Sequence, residues 1–346
     1  MPPKKTTKQS LGQFYTTNVV YILQHLSIPK TTSHIIEPFS GNGDLVRWAN
    51  MSTEMECYDI DPKQEYIVQR DTILEPPSYI GKFVLTNPPY LARNKSANKT
   101  AFDKYKTNDL YKCVIQEWLQ TENRPNGGIL IIPLNFWSSI RKSDVELRAS
   151  FLRIYNIVHL NIFEESVFDD TTTTVCSFQF QLRIDHSVKI PVCMFPDNSQ
   201  ICVSLCEENS YTIGGEIYKL ATKHRYTITR LTSRNVEKQN TQIRVKCIDD
   251  NATHLIGWTI EPDVYIDDTP NQTARTYATL VIEPPISLEI QKKVAYKCNE
   301  LLNGFREKYH SLFLSNYRES KDIARKRISF DLVYLITEYV LDTLEV

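Results

Sequence analysis

The feature that most constrains this chain is the alternation of two periods in its first half. Short β-like runs recur at residues 34–39, 55–60, 83–86, 128–133, 157–162 and 173–182. Helical patterning lies between several of them, near 18–26, 109–119 and 144–152. Strands separated by helices read as a mostly parallel α/β sheet covered on both faces. The last run differs, being Thr-rich and ending Ser177-Phe178-Gln179-Phe180-Gln181-Leu182, so it is expected to insert antiparallel at one edge.

After about residue 190 the pattern changes to β-like pieces with turns such as Gly214-Gly215. A helix follows, with apolar residues Ile290, Val294, Cys298, Leu301, Leu302, Phe305 and Tyr309 at a spacing near 3.6. Ser329 is positioned to cap a last helix running to Leu344. The chain has 346 residues, and at roughly 150 residues per domain that favours two domains. The expected division is 1–190 and 191–346.

Apolar content of 41% with 23% charged residues excludes a disordered or fibrous chain. No apolar run approaches the ~18–20 residues of a membrane span, and no signal-peptide apolar region follows Lys4, Lys5 and Lys8. The eight cysteines contain no CxxC pair, so a metal site is not expected. They read as reduced thiols of a cytosolic or nuclear protein. The net charge of −1 argues against a nucleic-acid partner only while it is averaged. Residues 220–246 carry seven Lys/Arg against one Glu, and residues 291–330 carry ten against four acids. Such clusters read either as phosphate footprints or as solvated faces.

Glu37-Pro38-Phe39-Ser40-Gly41-Asn42-Gly43-Asp44 follows the first strand and opens a helix. Two of only ten glycines sit here, where a tight turn lets a ligand approach the backbone. Asp59, in Tyr58-Asp59-Ile60-Asp61, ends the second strand, where an acid can accept from both hydroxyls of a ribose. Together these imply a nucleoside-bearing cofactor without saying which one. Leu85-Thr86-Asn87-Pro88-Pro89-Tyr90 narrows the choice. Two prolines remove two backbone donors and leave a turn rich in acceptors. The Asn87 side-chain oxygen and the Pro88 carbonyl can both accept from one NH2 group, and Tyr90 offers a face for a heterocycle.

In these residues the first half resembles the S-adenosylmethionine-dependent DNA N6-adenine methyltransferases with target recognition C-terminal to catalysis, of restriction–modification or large-DNA-virus type. The resemblance implies a Rossmann-like methyltransferase sheet with an antiparallel edge strand, plus a C-terminal mixed β/helical target-recognition domain. It makes Asn87, Pro88, Pro89 and Tyr90 the catalytic motif. It assigns S-adenosylmethionine to Gln13, Tyr15 and Thr16 of the N-terminal Leu11–Thr16 motif, and to Glu37, Phe39, Gly41, Gly43, Asp59, Ile60, Asp71 and Asn87. Position 17 is Thr where the family often has Pro. Phe168 resembles the aromatic that packs the flipped base opposite Tyr90, with Phe163 as its competitor.

The implied reaction is direct methyl transfer to adenine N6 of a base flipped out of double-stranded DNA, needing no metal. The second half then supplies sequence recognition. Asn316, Arg318, Arg325 and Arg327 are its densest set of donors, with arginine suited to guanine and asparagine to adenine. Glutamine-amide methyltransferases also use this tetrapeptide but carry their extra domain before the catalytic fold. RNA adenine methyltransferases, and a DNA-binding module with a degenerate site, are the other readings. Either a monomer or a homodimer suits the sequence.

Overall fold

The computed structural model describes residues 12, 16–49, 54–168, 173–185, 188–238, 240–249, 255–268, 276–319 and 324–344. The chain forms two compact units, Met1–Glu207 and Glu208–Val346.

The first unit is built on one nine-stranded sheet. Strands β1 (His34–Glu37), β2 (Glu54–Asp59), β3 (Val68–Gln69), β4 (Phe83–Thr86) and β5 (Gly127–Pro133) run parallel in the order β3-β2-β1-β4-β5. Every residue of β4 and β5 is buried, as parallel strands under helices require. The chain steps from β1 outward to β3, then returns to the other side of β1 as β4. This reversal opens a crevice at the C-terminal ends of β1 and β4, where open α/β sheets take ligands. Among the described residues its helices are α1 (Val19–Ile22), α2 (Asp44–Ala49), α3 (Thr100–Tyr105), α4 (Leu110–Gln120), α5 (Asn135–Ser138) and α6 (Lys142–Ile154). α1 is shorter than the 18–26 patterning suggests, and His25 just beyond it adopts a positive φ of 62°.

The Thr-rich run becomes β7 (Val175–Leu182), antiparallel as expected but not at the edge. It lies between β5 and β6 (Tyr155–Phe163), and its first six residues are buried. A strand sunk this way needs partners on both sides. The edge is taken instead by β8 (Lys189–Phe195), parallel to β6, and β9 (Ser199–Ser204), antiparallel to β8. Because this hairpin extends the first sheet, the first unit closes after Glu207 rather than near residue 190.

The second unit holds a four-stranded antiparallel sheet ordered β10 (Thr227–Arg230), β13 (Tyr277–Glu283), β11 (Ile243–Lys246) and β12 (Gly257–Ile260). Helices α7 (Leu288–Tyr309) and α8 (Phe330–Leu344) complete it. Ser287 and Ser329 accept from Ile290 and Leu332 amides at 3.3 and 3.2 Å, caps of about 0.5–2 kcal/mol each. Val294, Cys298, Leu302, Val333 and Ile336 are buried, whereas Ile290 at the start of the α7 stripe is exposed. Asn299 of α7 accepts from the Trp258 amide at 2.8 Å and donates to the Trp258 carbonyl at 2.7 Å. The segment carrying Asn316 and Arg325 is a two-stranded ribbon, β14 (Ser315–Glu319) with β15 (Ala324–Arg327). Among the described residues no helix is long and apolar enough to cross a membrane, and no disulfide is present.

Candidate active site

The site forms where β1, β2 and β4 end. Glu37, the last residue of β1, is buried, and the Ser40 hydroxyl donates to its carbonyl at 2.9 Å. The chain then turns through Gly41 (φ 52°) and Gly43 (φ 78°) into α2. A Cβ on Gly43 would lie 2.1 Å from the Tyr66 hydroxyl, and its positive φ strains any L side chain placed there. Asp59, the last residue of β2, accepts from the Gly41 amide and from the Asp61 amide, both at 2.8 Å. The acid therefore shapes the glycine loop as well as ending its own strand.

Glu37 is 1% exposed, and its Oε2 has no hydrogen-bond partner. Burial raises its pKa well above the carboxylate range. The neighbouring charges of Asp59 and Asp44 add to the rise, and Arg47 opposes it. A buried carboxyl with an unpartnered oxygen is costly unless a ligand completes it.

Asp71 sits beyond β3, with Oδ1 accepting from the Ile73 and Leu74 amides at 3.2 and 3.1 Å. Phe39, Gly41, Asp59, Ile60, Asp71, Asn87 and Pro89 all line one cavity of about 400 Å³. Seven of the residues proposed from sequence are thus brought together at the switch point. The far wall comes from α3 and the turn before it, through Ala97, Asn98, Ala101 and Phe102, which sequence reasoning missed. They are small or apolar residues in a stretch with no chemical signature, so nothing in their pattern marks them.

Asn87 follows β4. Its Nδ2 donates to the Thr16 hydroxyl oxygen at 3.1 Å, and its Oδ1 accepts from the Tyr90 hydroxyl. The Tyr90 hydroxyl also lies 2.7 Å from the Ile131 carbonyl oxygen on β5, and the ring meets Tyr111 edge-on at 6.2 Å. Tyr90 is 8% exposed, so its ring is packed under the turn rather than turned to the cavity. Burial pushes its hydroxyl pKa well above that of a free phenol. The Tyr90 amide donates to the Gly12 carbonyl at 2.9 Å, and Gly12 (φ 72°) leaves no room for a Cβ, which would lie 2.7 Å from the Tyr90 carbonyl. Pro88 is buried in the same turn. Gln13 and Tyr15 lie outside the described residues.

The segment after the turn is fixed by Asp109, which accepts from the Leu91 amide at 3.1 Å. Burial pushes its carboxyl up to about 6, opposed by the Lys112 charge and backbone donors. Lys112 pairs with buried Asp144 at 2.6 Å.

Phe163 is fully buried, its ring stacked on Phe195 at 5.2 Å and tilted on Tyr21 at 5.6 Å. Phe168 is 4% exposed, immediately before residues 169–172, which are not described. Neither lines the cavity.

In the second unit Arg318 stands opposite Arg325 across the ribbon, whereas Asn316 stands opposite Lys326, with a register shift between. Arg325 and Arg327, two residues apart on β15, share a face. Lys326, between them, is buried. Much of the local positive charge is met within the unit. Arg225 pairs with Asp342 at 3.1 Å, Arg230 with Asp267 at 3.4 Å, Lys238 with Glu283 at 2.8 Å and Arg306 with Asp249 at 2.9 Å. Among the described residues no group of three or more His, Cys, Asp or Glu could hold a metal ion.

No family model matches the chain, and a search of curated proteins finds no match. Solved structures do match. The methyltransferase subunit of a type I restriction-modification system from Streptococcus thermophilus is 13% identical, over 53% of this chain and 48% of that one, with a TM-score of 0.41. The M protein of the type I restriction enzyme EcoKI is 11% identical, over 52% and 48%, with a TM-score of 0.38. A nuclease-deletion mutant of the type ISP enzyme LlaGI, solved with a DNA substrate mimic, is 12% identical over 69% and 32%, with a TM-score of 0.39. The chain spans about half the length of the first two, and less of the third.

Proposed function

We propose that the protein methylates adenine N6 in DNA, using S-adenosylmethionine. The observation that carries this reading is the meeting, at one sheet crevice, of a carboxylate-bearing cavity with the Asn87-Pro88-Pro89 turn. Asp59 and Asp71 line the cavity, and the Glu37 carboxyl, with Oε2 lacking a hydrogen-bond partner, is buried beside Asp59. Asp59 stands where an acid accepts from the hydroxyls of a ribose, and the acidic groups suit a cationic nucleoside. The residues that would hold it are Glu37, Phe39, Gly41, Gly43, Asp59, Ile60 and Asp71, joined by Gln13, Tyr15 and Thr16 of the N-terminal motif. When bound, S-adenosylmethionine supplies a methyl group already activated by its sulfonium.

The chain's own task is then positioning. Asn87 Oδ1 and the Pro88 carbonyl accept the two hydrogens of the target amino group. Held this way, the nitrogen lone pair is directed out of the ring conjugation and toward the methyl donor. Acceptors fixed before the reaction stabilise developing positive charge on nitrogen without reorganisation. The base must leave the duplex, at a cost of a few kcal/mol. Stacking on Tyr90 and Phe168 offsets that cost, and Tyr90 must turn out from beneath Asn87 to provide it. The second unit supplies DNA contact through Arg318, Arg325 and Arg327 of the ribbon.

The test is transfer of labelled methyl groups from S-adenosylmethionine to plasmid DNA, to RNA and to a translation release factor. Label in DNA, located at adenine N6 by long-read sequencing, is expected. Asn87→Ala should abolish it, a loss of at least ~10²-fold, while cofactor binding survives. Label confined to RNA or protein, or undiminished turnover by the Ala variant, would overturn the proposal.

A further inference from the structure

Between the Asn87–Tyr90 turn and α4 the chain makes an excursion that leaves and returns at one foot. The Arg93 amide donates to the Asn108 carbonyl at 2.9 Å, and the Leu110 amide donates to the Leu91 carbonyl at 3.2 Å. Residues 93–108 lie between and carry α3. The inner side of this arm is anchored. Phe102 and Tyr105 are buried, Ala97 and Ala101 line the cavity, and Lys104 Nζ donates to the Leu74 carbonyl at 3.0 Å.

The outer side is basic. Residues 93–108 hold Arg93, Lys95, Lys99, Lys104 and Lys106, against Asp103 as the one acid. Arg93 takes that acid, at 2.5 Å. Lys99 donates to the Arg93 and Ser96 carbonyls, neutral groups that leave its charge unbalanced. The Lys95 and Lys106 side chains are exposed, and among the described residues neither has an ion pair or hydrogen bond. In the second unit, by contrast, Arg225, Arg230, Lys238 and Arg306 each face an acid. Lys106 ends α3 in the left-handed region (φ 53°), where glycine is the favoured residue. A charged side chain is kept there against the backbone's preference.

A base delivered to Asn87 brings the phosphates of its own strand to the same mouth. Lys95 is five residues beyond Tyr90, so it lies within about 18 Å of it. That is a span of roughly five phosphates along one strand. We propose that residues 93–108 form an arm that holds the backbone of the DNA strand bearing the target base. Lys95 and Lys106 contact its phosphates, and Lys99 and Lys104 add to the field. This rests on the reading of the site as a DNA methyltransferase, and it adds a contact from the first unit to that of the ribbon.

The test uses the full chain with Lys95→Ala, Lys95→Arg, Lys106→Gly and the Ala/Gly double variant. Affinity for a fluorescent DNA duplex is measured across salt concentrations, with Kd for S-adenosylmethionine and Tm alongside. Lys95→Ala and Lys106→Gly should each weaken DNA binding about two- to fivefold. Each should also lower the slope of log affinity against log salt by about one. Lys95→Arg should keep the wild-type slope. Cofactor Kd should stay within about twofold, and Lys106→Gly should not lower Tm. A double variant with the wild-type slope would make the arm a solvated face and overturn the proposal. So would a slope loss matched by equal weakening of cofactor binding, which would place the effect in the cavity. If the slope falls as expected but methyl label appears only in RNA or protein, the methyltransferase reading fails while the arm's DNA contact is supported. A wild type whose affinity for DNA is absent or independent of salt would overturn the arm whatever it labels.

Discussion

Asp59 and Gly41 are joined by a 2.8 Å bond from the Gly41 amide to Asp59 Oδ2, so the acid ending one strand sets the loop that leaves its neighbour. The other oxygen of Asp59 is held by the Asp61 amide at the same distance. Both oxygens have structural work before any ligand arrives.

Replacing Asp59 by Asn should therefore do more than remove a charge. One of the two accepting oxygens becomes an NH2 group facing a backbone N–H, at a cost of about 1–3 kcal/mol. We expect S-adenosylmethionine to bind ~10–100-fold more weakly, read by calorimetry. Unchanged affinity would mean that the loop holds its shape without the carboxylate.

Tyr90 is packed, so its substitutions should be read first as stability changes. Tyr90→Phe leaves the Ile131 carbonyl without its hydroxyl partner and should cost about 1 kcal/mol in urea unfolding. Tyr90→Ala empties a buried ring site and should cost about 3–5 kcal/mol, together with a raised KM for DNA. If the Ala variant is as stable as wild type, the ring does not occupy the buried position.

The raised pKa values of Glu37 and Asp109 have a definite sign. A carboxyl whose folded pKa lies above its unfolded value favours folding fully below the unfolded value. That contribution is lost as pH rises through the folded value. For Asp109 the window runs from the ordinary 3.8 to about 6. For Glu37 it starts near the usual 4.5 and extends well above it. Glu37→Gln should thus gain stability relative to wild type as pH rises above the ordinary carboxylate range, while binding the cofactor less well. A stability difference that is flat with pH would show that Glu37 is ionised in the empty protein.

The ribbon arginines should govern salt dependence. Arg325→Ala and Arg327→Ala should each reduce the slope of log affinity for DNA against log salt by about one. A slope equal to wild type in the double variant would remove the ribbon from the phosphate contacts.

The part of the fold most legible in the sequence is the parallel half of the sheet, because fully buried strands and their helices leave strong, distinct periods. Gly41, Asp59 and Asn87 are legible for a different reason: each needs a particular residue type at the end of a particular strand. The β8–β9 hairpin is less so, since a strand at residues 189–195 looks the same whichever sheet accepts it. Tyr90 turns inward because Ile131, on a neighbouring strand, offers a carbonyl, and no local pattern reports a partner 41 residues away. The Ala97–Phe102 wall is illegible because van der Waals lining needs only shape.

The two hydrogen bonds between Asn299 and the Trp258 backbone are the pair that an adjoining strand would make. β12 is the last strand of its sheet, and an open edge of this kind templates pairing with other chains. By lending a side-chain amide in place of a peptide group, helix α7 blocks that edge where Trp258 would otherwise recruit a neighbour. Asn299→Ala should then favour self-association at high concentration more than it disturbs the helix that carries it.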